Sequence, residues 1–106
     1  MIEARFIFRQ AARDEEFERL NDRILEAAEA NPGYRGRETW RNDAGDVAVD
    51  YRWDSLDDLR SFAGHPVHRQ AKARWEEWYD GYRVQIGRIL RTYGGDSGEA
   101  GFAPPG

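Results

Sequence analysis

Tyr34-Arg35-Gly36-Arg37-Glu38-Thr39-Trp40-Arg41, then Asn42-Asp43-Ala44-Gly45, then Asp46-Val47-Ala48-Val49-Asp50-Tyr51-Arg52-Trp53: this stretch decides the fold. In its last third, Val47, Val49, Tyr51 and Trp53 fall at every second position, the period of a strand with one buried face. Its first third is a second strand, weakened by Gly36. Between them, Asn, Asp and Gly are the residues that a tight chain reversal uses. The centre of the chain is therefore a β-hairpin.

Working outward toward the N-terminus, Asn31-Pro32-Gly33 stops the element before the hairpin. In that element Phe17, Leu20, Ile24, Leu25 and Ala28 recur at helical spacing. Asp14 sits at the N-cap position, and Glu15 and Glu16 suit the positive end of the helix dipole. Before it, Ile2 to Arg9 alternates, with Ile2, Ala4, Phe6 and Phe8 on one face. Toward the C-terminus, Ser55 with Asp58 three residues later reads as the capping box of a short helix. Gly64 and Pro66 break it from a second piece, which Pro66 opens and which is expected to run to about Tyr79. Asp80-Gly81 is expected to end that piece. Arg83 to Tyr93 is expected as the last strand, with Gly87 at a bulge.

The order is strand, helix, strand, strand, broken helix, strand. A β-α-β-β-α-β chain is the ferredoxin-like α+β arrangement, an antiparallel sheet with helices on one face. The other sheet face is expected to carry Arg5, Ile7, Arg9, Asp50, Arg52, Ile89, Arg91 and Tyr93, a mixture that suits solvent or a polar subunit interface, the interface being favoured because Ile7, Ile89 and Tyr93 would otherwise be exposed together.

Composition narrows the function classes. The 106 residues suit one domain. A net charge of −4, with its signs interspersed, argues against a nucleic-acid or anionic-membrane surface. Cysteine is absent, which excludes disulfides, thiolate nucleophiles and thiolate metal sites. No apolar run reaches the ~20 residues of a transmembrane helix. Met1-Ile2-Glu3-Ala4-Arg5 does not read as a secretory leader, so a cytoplasmic protein is expected. The segment 95–106, with Phe102 its one large apolar residue, is expected as a flexible tail beyond a domain of residues 1–94.

Chemistry concentrates after Gly64. On a helical wheel at about 100° per residue, with Val67 at zero, Trp75 falls near 80°, His68 near 100° and Tyr79 near 120°. His68 thus edges the apolar stripe, whereas His65 falls on the far side as a solvated cap. The two histidines have no third ligand at a metal-binding spacing. Trp78 falls near the centre of the stripe and reads as core. In the first helix Asn21 sits among Phe17, Ile24, Leu25 and Ala28, and a buried amide there needs a partner. Asn21 and His68 are expected to meet in a cavity walled by Phe6, Tyr51, Trp53, Trp75 and Tyr79. No phosphate loop, dinucleotide fingerprint or serine-hydrolase signature occurs.

The chain from Met1 to Gly94 resembles the antibiotic biosynthesis monooxygenase (ABM) domain family. The resemblance rests on the Ile2–Arg9 strand, Asn31-Pro32-Gly33-Tyr34, Tyr51-Arg52-Trp53-Asp54-Ser55, Leu56-Asp57-Asp58-Leu59-Arg60-Ser61-Phe62 and His65-Pro66-Val67-His68-Arg69-Gln70-Ala71. It implies a homodimer in which two sheets form a shared α+β barrel. It implies a cofactor-independent monooxygenase that oxidises a small aromatic phenol, quinol or anthrone with dioxygen. In that chemistry His68 is the expected base and Asn21 the expected anion stabiliser. The family's heme-degrading branch is the alternative, along with a non-enzymatic binding dimer. The residues at that branch's characteristic positions are Ala71 or Lys72, Phe62, and Ile7 or Phe8, and none matches.

Overall fold

The computed structural model describes residues 1–94. The expected tail, 95–106 with Phe102, lies outside the described residues. The elements are β1 (Ile2–Gln10), α1 (Glu15–Ala30), β2 (Tyr34–Arg41), β3 (Val47–Trp53), α2 (Leu56–Ala63), α3 (Pro66–Ala73), a 3-10 turn (Trp75–Glu77) and β4 (Tyr79–Arg88). The four strands form one antiparallel sheet in the order β2-β3-β1-β4. This is the expected ferredoxin-like α+β fold. Among the described residues no helix is long and apolar enough to cross a membrane.

Local chemistry sets the element boundaries. The Asp14 side chain accepts the Phe17 backbone N–H and caps α1. The same carboxylate accepts the Trp78 indole N–H at 3.1 Å, tying the start of α1 to the end of the 3-10 turn. Asn31 ends α1: its side-chain oxygen accepts the Gly33 N–H and its amide donates to the Asp58 carbonyl at 3.0 Å. Ser55 caps α2 by accepting the Asp58 N–H, and its hydroxyl donates to the Asp58 carboxylate at 2.7 Å. Gly36 is not a simple interruption of β2. Arg35 is an extra residue in the β2–β3 ladder, and Gly36 absorbs the bulge at φ +111°.

Two expected boundaries shift. Helix α3 stops at Ala73, and β4 begins at Tyr79, runs through Asp80-Gly81 and ends at Arg88. The cause is the far end of β1. Gln10 pairs with Tyr79, and the Ala11 and Ala12 amides both donate to the Trp78 carbonyl. The Tyr79 ring is held over the sheet by Phe6, Phe8 and Phe17. Pairing and packing together outweigh the helical pattern. Asp80 is the extra residue of the resulting bulge, whereas Gly87 pairs regularly with Glu3. At the other end β4 stops because β1 runs out: Ile2 pairs with Arg88, and only the Met1 carbonyl is left for the Ile89 N–H.

The helices cover one sheet face. One buried cluster joins Ile2, Ala4 and Trp53 of the sheet to Ala28, Leu59 and Phe62. A second joins Phe17 and Leu20 to Val67 and Trp78. On the opposite face Arg5 makes a two-pronged ion pair with Asp50 at 2.7 and 3.0 Å, and Asp50 is 3% exposed. Arg52 pairs with Glu38 and Glu3 there, and the register places Trp40, Ala48 and Ile7 in one row beside them. Arg5, Ile7, Arg9, Asp50 and Arg52 therefore lie on the expected face. Arg91 and Tyr93 follow the end of β4 and belong to no strand.

Candidate functional site

Alternation along β4 puts Tyr82, Val84 and Ile86 on the helix-covered face, opposite Phe8, Phe6 and Ala4. The helices do not reach this edge: Val84 is 51% and Ile86 57% exposed. Beside this strip, between the α2–α3 corner and β4, a cleft of about 610 Å³ is lined by Ala63, Gly64, Arg69, Lys72, Trp75 and Tyr82. Trp75 meets Tyr82 edge-to-face at 5.2 Å. The aromatic run continues inward from Tyr82 to Phe6 at 5.7 Å and from Phe6 to Tyr79 at 5.6 Å. One wall of the cleft is thus built on a rigid string of rings.

His68 lies behind the other wall. Pro66 opens α3, and His65 caps it by accepting the Val67 N–H on Nδ1 at 3.1 Å, so His65 is the exposed cap that the sequence implied. His68 then turns inward, edge-on to Phe62 at 4.9 Å. Its Nδ1 is buried without a hydrogen-bond partner. Burial pushes its pKa below the usual histidine value, and the Lys72 ammonium pushes it further the same way. The Ala63 carbonyl pulls weakly against them. Ala63 and Lys72 both line the cleft, whereas the imidazole is not part of the lining: it packs on Phe62, where burial favours its neutral form.

The other expected site residues separate into two groups. Phe6, Trp75 and Tyr79 belong to the aromatic string. Burial among Phe6, Phe8 and Phe17 pushes the Tyr79 hydroxyl up to about 12. Tyr51 is half-buried near Phe62 at 6.2 Å, and its pKa is raised by burial against an opposing pull from Arg37.

Two expectations are corrected. Trp53 is 0% exposed, enclosed by Tyr34 and Phe62 in the core, so it has no free face for a ligand. Asn21 is exposed on α1 and does not share a cavity with His68. The buried stripe of α1 runs through Phe17, Leu20, Ile24, Ala27 and Ala28. Its centre leans toward Leu20 and Ala27, which leaves Asn21 about 70° away on the flank.

Three cleft residues were not among the expected site residues: Arg69, Lys72 and Tyr82. The Tyr82–Val84–Ile86 alternation carried a signal for Tyr82, and the placing of β4 too far downstream hid it. Arg69 and Lys72 flank His68 on the same short helix but read as ordinary surface charge.

No protein-family model matches the chain. A Bacillus subtilis protein of unassigned function, YqjZ, is 32% identical over 72 residues, covering 66% of this chain and 62% of YqjZ, so the chain spans less than two thirds of that relative. Among solved structures, Rv0793 from Mycobacterium tuberculosis matches 88% of this chain and 98% of its own at 18% identity and TM-score 0.71. SnoaB from Streptomyces nogalater, described as a cofactor-independent oxygenase, matches 86% and 94% at 14% identity and TM-score 0.68. A provisionally assigned antibiotic biosynthesis monooxygenase from Nitrosomonas europaea matches 86% and 100% at 12% identity and TM-score 0.68. These likenesses show the fold: the chain has the four-stranded antiparallel α+β fold of these structures, SnoaB and the Nitrosomonas protein among them.

Proposed function

We propose that this protein is a cofactor-independent monooxygenase whose substrate is a flat, electron-rich phenol, quinol or anthrone bound in the cleft between α3 and β4. The observation that carries the reading is a half-buried His68, its neutral form favoured by burial, on the same short helix as Arg69 and Lys72, which line a cleft with Trp75 and Tyr82. The fold shared with SnoaB supports it. Phe6 and Tyr79 brace the Tyr82 wall, and Tyr51 lies on the Phe62 side of His68.

For an anthrone the chemistry runs as follows. His68 removes a proton from the reacting carbon and leaves an electron-rich anion. The anion passes one electron to dioxygen, and the resulting carbon radical and superoxide combine to a peroxide. The imidazolium returns its proton as the O–O bond breaks, and the second C–H proton is lost. One oxygen atom becomes the new carbonyl and the other leaves as water. The substrate supplies all four electrons, so no external reductant enters. Because Nδ1 is enclosed, the proton transfer is assigned to Nε2.

A homodimer belongs to the same reading, through the sheet face opposite the helices, which carries Trp40, Ile7 and the Arg5–Asp50 pair. Oxygen-electrode measurements with anthrone and a naphthoquinol test the catalytic part. One O₂ is expected to be consumed per quinone formed from anthrone, and His68→Gln is expected to lower the rate about 10²-fold. Binding without oxygen uptake would place the protein among non-enzymatic binders, and an unchanged rate in His68→Gln would remove His68 as the base.

A further inference from the structure

The charges around the cleft are one-sided. Its charged lining residues are Arg69 and Lys72, with no carboxylate among the lining residues. Helix α3, Pro-Val-His-Arg-Gln-Ala-Lys-Ala, has no acidic residue. Among the described residues neither cation forms a salt bridge, a state they share with Arg23, Arg37, Arg41 and Arg83; what sets them apart is their place together at the cleft. In a chain of net charge −4, two unpaired cations three residues apart at the mouth of an aromatic cleft are a local reversal of sign. Such a reversal draws in and orients an anion. The ring walls accept a flat apolar body, while the guanidinium suits a planar carboxylate.

We propose that the ligand of this cleft is an aromatic acid: its ring system lies against Trp75 and Tyr82, and its carboxylate is held by Arg69 and Lys72. This rests on the cleft being the substrate site and adds the charge that the substrate carries. The arrangement also gives the ligand one orientation, with the carboxylate toward α3 and the fused rings running along β4 over Val84 and Ile86.

The test uses the full chain and a matched pair of probes, anthraquinone-2-carboxylate and anthraquinone-2-carboxamide, titrated by tryptophan fluorescence and by calorimetry at fixed ionic strength. The carboxylate is expected to bind about tenfold more tightly than the amide. That preference is expected to shrink as salt is raised. Arg69→Gln and Lys72→Gln are each expected to reduce it severalfold, and the double variant to abolish it. Both side chains are exposed, so circular dichroism is expected to show unchanged folding. Equal binding of acid and amide by the native chain would overturn the charge assignment and leave the aromatic cleft standing. Failure of both probes to bind would overturn the cleft as a ligand site together with the charge assignment.

Discussion

At the residue scale, His68 shows how packing prepares an imidazole. Desolvation is the largest influence on it, the Lys72 charge adds to that, and the Ala63 carbonyl opposes both. The consequence for stability has a definite sign. In the unfolded chain the group titrates near 6.5 and in the fold it titrates lower, so below about 6.5 the unfolded state binds the proton first. The stability that depends on a neutral His68 is complete above that value and is lost as pH falls through the folded pKa. Thermal unfolding of the native chain between pH 7.5 and pH 5 is therefore expected to lose more stability than that of His68→Gln, which has no proton to take up. Equal losses in the two proteins would show that another group sets the acid response. At the same scale Trp53 and Trp75 are the same residue type with different uses. Trp53 faces inward from the paired centre of the sheet and is sealed. Trp75 sits on a short turn beside an uncovered strand and keeps a free face toward the cleft.

At the scale of elements, the joint between α1 and α2 is tight: of the described glycines, Gly33 has the least room for a side chain. Gly33 is buried, and a Cβ built on it would lie 2.1 Å from the Asp58 side-chain carboxyl carbon. That carboxylate is already held by the Ser55 hydroxyl in the α2 cap, so it has little room to move. Gly33→Ala is expected to cost about 1–3 kcal/mol by overpacking. Urea unfolding measures it, and an unchanged midpoint would mean that the cap rearranges freely. Gly36 differs: open space surrounds it, and the constraint is its φ of +111°. The shortening of α3 is the other decision taken at this scale. A wheel drawn from Pro66 to Tyr79 assumes one continuous helix, but Arg74, at φ −112° and ψ 16°, leaves the helix. Arg74 also stacks on the Trp78 ring at 4.9 Å and pairs with Glu16 and Glu77. Burial of Trp78 and Tyr79 is therefore achieved from a 3-10 turn and the start of a strand.

At the scale of the whole molecule, the sheet has one covered face and one that carries an ion-pair ladder around an exposed Trp40. If that face joins two copies, the chain is expected to run in light scattering at twice its monomer mass, and Trp40→Glu at the monomer mass. A monomeric native chain at micromolar concentration would count against the interface. Much of this architecture was legible in the chain itself. Alternation of Ile2, Ala4, Phe6 and Phe8, the caps at Asp14 and Ser55, and the stop at Asn31-Pro32-Gly33 are local signals, because each depends on residues only a few positions apart. They specified the element order and the ferredoxin-like topology. His68 and Trp75 were legible for the same reason. The tertiary structure alone decided where α3 ends, that Trp53 is sealed, that Asn21 points outward, and that Arg69, Lys72 and Tyr82 share one cleft. Each of these depends on contacts between residues far apart in sequence: Gln10 with Tyr79, Trp53 with Phe62, α3 with β4. Periodicity records which face of an element is apolar, but it holds no record of how far a neighbouring element reaches over that face. The cleft exists because the helices stop short of β4.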